Sequence, residues 1–373
     1  MHIDDLSLRN FRNIADLRLT PGKRINLLVG RNAQGKTNII EAIGLLSTGQ
    51  SFRAQDFRDM IRWNAQDAEI AARATCGAGA DALRVSIDSR RKSFTRNDKR
   101  VTAAAAGKFF TVLFAPEEIL LLKGPPASRR RYIDSIIFQL SHTHRSNSMQ
   151  YEKIVRHRNR LLQDARLSDS ARREALRPWD EQLADIGSRI VMARSEWCRR
   201  INGLLPERYR AIAPEDAQAR FVYVPHCGAN AVEKGIDSVK ERLRAQLEER
   251  RSDEAVRGIT LAGPHRDDLE AEIGASRVKH FGSQGQHRSF VLALKLAEMD
   301  LLREASGGEE PVFLLDDVAS ELDAERNRFF FEVLGAARGQ VFITATTDAD
   351  VRLPGVGEIS IFDVSGGIAT PRK

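Results

Sequence analysis

Residues 25–37 read INLLVGRNAQGKT: an apolar run that ends in GRNAQGKT (30–37) and continues as the helical pattern NIIEAIGLLS (38–47). The last eight residues fit G-x-x-x-x-G-K-[ST]. A strand before them and a helix after them is the context in which that pattern is a phosphate-binding loop. Gly30 and Gly35 let the backbone curl so that successive N–H groups point at phosphate oxygens. The whole loop, Gly30, Arg31, Asn32, Ala33, Gln34, Gly35, Lys36 and Thr37, is therefore assigned to a nucleoside triphosphate. Lys36 brings positive charge to the β and γ phosphates, and the Thr37 hydroxyl is suited to ligate Mg²⁺.

Such a loop needs an acid at the end of a buried strand. VFLLDD (312–317) supplies two. Asp316 stands where a carboxylate meets Mg²⁺, usually through water, and Asp317 follows at the position that orients or deprotonates an attacking water. Lys36, Asp316 and Asp317 are the catalytic candidates; Thr37 and Asp316 are the metal candidates.

A second polar loop, FGSQGQHRSF (281–290), precedes the apolar helix pattern VLALKLAEMDLL (291–302). A helix N-terminus favours anions. If the loop comes from another copy of the chain, Ser283, Gly285 and Gln286 close the open side of the γ-phosphate. ATP then bridges a two-fold dimer that hydrolysis loosens.

The rest of the chain is α/β at both ends and helical in the middle. HIDDLSLRNF (2–11), ADLRLTP (15–21) and INLLVG (25–30) alternate like strands, and residues 83–101, with LRVSID and KSFTRN, read as a hairpin. VLFAP (112–116), VFLLD (312–316), QVFITAT (340–346) and EISIFDV (358–364) are short, apolar strands that alternate with helices expected at 286–305 and 323–337. That pattern predicts a largely parallel, buried sheet. Between them, Leu176, Trp179, Leu183, Ile186, Ile190, Ala193 and Trp197 keep a heptad seam through 174–204, with further helices at 144–166 and 236–250. Both tryptophans fall on seam positions, which reads as core. The expected division is an ATPase head from 1–119 and 258–373, with 120–257 inserted as a helical lobe.

The chain has 373 residues and a net charge of +7. Between Lys123 and Arg160 nine Lys or Arg face two acids, a local excess equal to that net charge. Such a run is either a solvated helix face or the footprint of phosphate-backbone binding. Arg129, Arg130 and Arg131 fit DNA contact or packing equally. Cys76, Cys198 and Cys227 lack paired spacing, and the start MHIDDLSLRNF lacks a signal-peptide pattern, so a cytoplasmic protein without disulfides is expected. No run is long and apolar enough for a membrane span. The histidines lack ligand spacing, and no structural metal is expected.

P-loop, SQGQ, LLDD and SELD (320–323) together resemble the ATP-binding-cassette-type heads of the SMC group. The narrower resemblance is to the RecF family. It is carried by NFRN (10–13), GKTNIIEAI (35–43), SFR (51–53), LFAPEE (113–118), SRRRYID (128–134), GPHRDD (263–268), SQGQHRS (283–289) and LLDDVASELD (314–323), spread over nearly the whole chain. The resemblance implies a weak ATP hydrolase that dimerises with ATP and Mg²⁺ and binds DNA, both duplex and gap junctions. It further implies work with RecO- and RecR-type mediators that directs RecA to gaps, in DNA damage repair, replication and the SOS response. It also makes Ser320, Glu321, Leu322 and Asp323 an interface loop beside the attacking water.

Three departures matter. Ala33 stands where similar loops often carry glycine, costing about 1 kcal/mol if an unusual φ is needed. ITATTD (343–348) offers threonines where transporter heads carry a histidine, and Asp317 replaces their glutamate; both suit a slow switch. A transporter engine would lack the long insertion, and a structural SMC-like tether would need far longer heptads. His265 and Arg266 of GPHRDD are read either as near nucleotide or DNA, or as a loop-bracing cluster with Asp267 and Asp268.

Overall fold

The computed structural model describes residues 1–372 apart from 55, 78, 103–108, 214–217, 318–323, 337 and 349–357. The chain divides into two compact units: 1–120 with 207–215 and 284–373, and 121–206 with 216–283. Residues 258–283, grouped with the C-terminal head on sequence, thus cluster with the middle of the chain. The physical reason is strand pairing: Asp268–Ile273 is antiparallel to Ala219–Val224 in register Leu269↔Tyr223.

The first unit holds two six-stranded sheets. One runs in the order Ile368–Pro371, Ile359–Ser365, Ile25–Val29, Val341–Ala345, Val312–Leu315, Thr111–Phe114, and every pair but the edge hairpin is parallel. All residues of Ile25–Val29, Val312–Leu315 and Val341–Ala345 are buried, as expected of strands covered on both faces. The other sheet is antiparallel, in the order Ile14–Leu19, His2–Phe11, Asp67–Cys76, Gly79–Asp88, Lys92–Arg96, Lys99–Val101. The helix Lys36–Thr48 shares one core with both sheets: Ile39, Ile40, Ile43 and Leu46 pack with Leu6, Leu8 and Ile70 and also with Leu314 and Phe342. That double packing explains a helix apolar on nearly every face.

The helix Gln284–Ala305 is buried along most of its length. Its Lys295 is 3 % exposed and pairs with Glu118 at 2.8 Å and Glu298 at 3.1 Å, so the buried charge is compensated.

The second unit is helical but not only helical. It combines Pro126–Leu140, His142–Gln163, the long helix that begins at Asp169, Ile236–Glu249 and Arg251–Arg257 with a three-stranded antiparallel sheet of Ser276–Arg277, Asp268–Ile273 and Ala219–Val224. The heptad residues Leu183, Ile186 and Ile190 pack with Tyr151, Ile154 and Leu247. Trp197 meets Tyr132 and Phe221 edge-on. Trp179 differs: it is half-buried and stacked under the exposed His157 ring at 4.9 Å.

The basic run of 123–160 does not form one solvated face. Arg129 is 2 % exposed and bound twice by Asp268, at 2.8 and 2.9 Å. Arg145 is buried over the Phe138 ring. Arg158 is fully buried and holds Asp180 at 2.6 Å, Glu254 at 2.8 Å and Thr260 at 2.9 Å. A guanidinium can be buried when its fork is filled in this way. Removing it strands Glu254 and leaves Asp180 with Arg251 alone, at 3.2 Å, so Arg158→Met should cost on the order of 3–5 kcal/mol in denaturant unfolding. Adding Glu254→Gln to that variant should recover part of the loss; a double variant no better than the single one would mean the carboxylates are solvated.

Candidate nucleotide-binding site

The parallel sheet sets the site. Its strands Ile25–Val29, Val341–Ala345 and Val312–Leu315 are neighbours in register, Leu27↔Ile343↔Leu315, and their C-terminal ends form one edge. Ligands of open α/β sheets sit at that edge. There a cavity of about 530 Å³ is lined by Asn32, Ala33, Gln34, Gly35, Lys36 and Thr37, and by Asp316, Asp317 and Thr344.

The loop 30–37 curls through two left-handed residues. Gly35 has φ +113°, and Ala33 is left-handed at φ +65°, so the methyl does sit on an unfavoured backbone. Gly30 cannot carry a side chain at all: a Cβ would lie 2.2 Å from the Val364 carbonyl oxygen. The edge hairpin also grips the loop. Gly366 N–H donates to Gln34 Oε1 at 2.7 Å, and Gly367 N–H to the Gln34 carbonyl at 2.9 Å.

Lys36 Nζ donates to the Gly30 and Arg31 carbonyls. Burial pulls its ammonium below the ordinary lysine value, and the nearby Asp317 and Asp316 oppose that pull. The Thr37 hydroxyl donates to Asp316 Oδ1 at 2.9 Å, and the Thr344 hydroxyl donates to the same oxygen at 2.8 Å. Thr344 Oγ1 also accepts the Asp317 N–H at 2.9 Å. Asp317 is itself left-handed at φ +49°. A hydroxyl and a carboxylate in contact at a phosphate loop are the donor set a hard divalent cation takes, and the residues present therefore fit Mg²⁺.

Several lining residues were not singled out from the sequence: Asn13, Asn38, Arg53 and Pro116. Asn13 Nδ2 donates to the Ala33 carbonyl at 3.2 Å, and Asn38 Nδ2 to Asn13 Oδ1 at 2.7 Å. Behind them Glu41 is fully buried, held by Arg12 at 2.6 and 2.9 Å and by the Ser51 hydroxyl. NFRN and SFR thus brace the phosphate loop, and their polar residues beside strand ends were the available signal.

Ser283 immediately precedes the helix Gln284–Ala305, whose first-turn N–H groups have no intrahelical acceptor. Gly285 and Gln286 are in that first turn and are not among the residues lining the cavity. Residues 320–323 lie outside the described residues.

GPHRDD braces the second unit. Asp267 is 1 % exposed and accepts from Arg194 at 3.0 Å, from the His226 N–H at 2.8 Å and from the Tyr223 hydroxyl. His265 Nε2 faces the Thr260 carbonyl at 3.1 Å, so it carries the proton, and Nδ1 accepts from Tyr151 at 2.8 Å. Arg266 donates to the same Thr260 carbonyl at 3.0 Å.

A phosphate loop on the central strand, an acid closing the next-but-one strand and a flanking antiparallel sheet define an ATPase head of the ATP-binding-cassette type. A family model described as the RecF/RecN/SMC N terminal domain matches residues 2–354. Within that group the chain belongs to the RecF family of DNA replication and repair proteins. RecF of Geobacter sulfurreducens is 36 % identical over 373 residues, covering 100 % of both chains. RecF of Pediococcus pentosaceus is 32 % identical over 375 residues, again covering 100 % of both. Among solved structures, the recombination mediator protein RecF-ATPrS in the RecFOR pathway is 28 % identical at TM-score 0.89, covering 100 % of this chain and 98 % of that one. The corresponding RecF-ATP structure has TM-score 0.87 at the same identity and coverage. An Smc head bound to the C-winged helix domain of ScpA, 16 % identical at TM-score 0.55 and covering 100 % and 97 %, shares the fold.

Two tests follow from this geometry. The left-handed alanine costs about 1–2 kcal/mol, and glycine's larger unfolded-state entropy offsets about 0.4–1 of it, so Ala33→Gly should stabilise the protein by roughly 0.5–1 kcal/mol in denaturant unfolding; a loss would place the strain elsewhere. Burial, the largest effect, lowers the His265 pKa from 6.5 to about 4. Its contribution is then full above 6.5 and fades as pH falls toward 4, on the order of 3 kcal/mol. His265→Gln should remove that part of the acid-side slope; an unchanged slope would show that His265 is not the titrating group.

Proposed function

We propose that the chain is an ATP-operated DNA-binding switch of recombinational repair. The observation that carries this reading is the contact between Thr37 and Asp316, 279 residues apart in sequence and 2.9 Å apart in space. It presents a hydroxyl and a carboxylate together at the mouth of a phosphate loop. When bound, Mg²⁺ would neutralise developing phosphate charge there, held by Thr37 and Asp316. Lys36 would exchange its two carbonyl acceptors for phosphate oxygens. Gly30 to Thr37 would wrap the triphosphate with backbone N–H groups. Asp317 would orient the attacking water. Threonine 344, occupied with both Asp316 and Asp317, holds those acids still and supplies no general base, in keeping with slow hydrolysis.

Ser283, Gly285 and Gln286 would meet the γ-phosphate of a second copy, with Ser320 to Asp323 at the same interface, so that ATP holds a dimer that closes on duplex DNA or a gap junction. RecO- and RecR-type mediators would be the protein partners, and RecA loading the outcome, in the cytoplasm. Sequence kinship with RecF proteins over the full chain supports that assignment.

Light scattering tests the switch. The wild type should double in mass with ATP and Mg²⁺, while Lys36→Met and Ser283→Arg should each stay at the nucleotide-free mass. A wild type that binds ATP without changing mass would sink the dimer mechanism.

A further inference from the structure

We infer that the second unit carries a phosphodiester-binding site of its own, formed by the guanidinium groups of Arg130, Arg250 and Arg266 and extended by Arg160 and Arg257. The GPHRDD motif is its base. Asp267 ties three of the participating elements together: its carbonyl accepts from Arg130 Nη1 at 2.6 Å, its carboxylate accepts the His226 N–H at 2.8 Å, and it directly follows Arg266. The His226 carbonyl in turn accepts from Gln246 Nε2 at 2.9 Å. Gln246 stands four residues from both Arg242 and Arg250 on Ile236–Glu249 and its end, and residues four apart share a helix face. The elements that carry Arg250 and Arg266 thereby converge at His226. The charge effects agree with the placement: after burial, it is Arg250, Arg266 and Arg242 that hold the His226 imidazole below its ordinary value.

Among the described residues, none of these arginines forms an ion pair with a carboxylate. Arg242 is bound by Glu249 at 2.8 Å, Arg251 by Glu248 and Asp180, Arg158 by Glu254 and Asp180, and Arg194 by Asp134 and Asp267. Arg266 has a carbonyl, Arg130 has a carbonyl, and Arg250 and Arg257 are exposed without an ion pair among the described residues. Within 250–266 this leaves Arg250, Arg257 and Arg266 unpaired against Asp253 alone. Arg160 continues the strip. Asn159 beside it accepts from Thr260 N–H at 2.8 Å, and Gln163 one turn on donates to the Gly258 carbonyl at 2.9 Å. Unpaired forks of one sign, strung along connected elements, match the spaced anions of a nucleic-acid backbone, for which arginine's planar donors are suited.

The inference rests on the DNA-binding reading above and gives it a place on the molecule. Duplex affinity of the full-length protein with ATP and Mg²⁺ should be measured by fluorescence anisotropy across a salt series. Arg250→Ala/Arg257→Ala/Arg266→Ala removes exposed side chains only. It should weaken binding and flatten the slope of log affinity against log salt by about two to three units, one per lost phosphate contact. The matching triple Arg→Lys variant should keep most of the slope, since the charges remain. Val256→Ser, which removes an 88 % exposed apolar side chain from the same stretch and no charge, should change nothing. An alanine variant with the full wild-type slope overturns the site, as does one that loses only binding to poly-glutamate, which would make the strip a seat for an acidic polypeptide. A wild type that binds no duplex refutes the DNA-binding reading itself, a separate result.

Discussion

The contact between the Thr37 hydroxyl and the Asp316 carboxylate is the constraint around which the head is arranged. It requires the strand Ile25–Val29 and the strand Val312–Leu315 to end at one level, which the parallel register through Val341–Ala345 enforces. That register needs three strands apolar on both faces, hence the VFLL, INLLV and VFITA runs. It also needs a helix apolar nearly all round between the two sheets, hence Ile39, Ile40, Ile43 and Leu46. The interior composition of the first unit follows from one polar contact at its edge. Register slips in a parallel sheet would move Asp316 by a strand-residue rise of about 3.3 Å, enough to break the contact.

Around that contact the backbone is held in conformations it would not choose. Ala33 and Asp317, both left-handed and both without glycine's freedom, face the same cavity. Each is restrained by bonds from its surroundings: the Ala33 carbonyl by Asn13, and the Asp317 N–H by Thr344. The edge hairpin adds its grip on Gln34. Strain of this kind persists only where neighbours over-determine it, and it concentrates at ligand sites. The loop is preorganised for phosphate at some cost in stability, and the polar brace of Arg12, Asn13, Asn38 and Glu41 offsets that cost.

The head was legible because its signals are local. A phosphate loop announces itself in eight residues, and buried parallel strands are continuous apolar runs. The strand Asp67–Cys76 was missed because DAEIAARATC is rich in alanine, a poor strand former, and earns its place by pairing with His2–Phe11 and Gly79–Asp88. The sheet of the second unit was missed for a related reason: Ala219–Val224 finds its partner about fifty residues later, and nothing local foretells that pairing. The cavity-lining Asn13 and Arg53 come from short polar turns that only the fold brings to the loop.

Charge shows the same limit most sharply. Counting Lys and Arg between 123 and 160 measures supply but not pairing. Asp268, Asp180 and Glu254, which neutralise Arg129 and Arg158, all lie outside that window. Once such pairs are set aside, Lys123, Arg131, Lys153 and Arg160 stay exposed in the window without an ion pair among the described residues, and Arg250, Arg257 and Arg266 join them from a stretch the count left out. A buried ion pair cancels its own field at a distance, whereas an unpaired exposed guanidinium keeps its field until salt screens it, over about 8–10 Å. The field a polyanion meets is therefore set by the arginines the interior did not use. In this protein the GPHRDD motif decides both outcomes, since Asp267 and Asp268 neutralise Arg194 and Arg129 while Arg266, next to them, is left facing solvent.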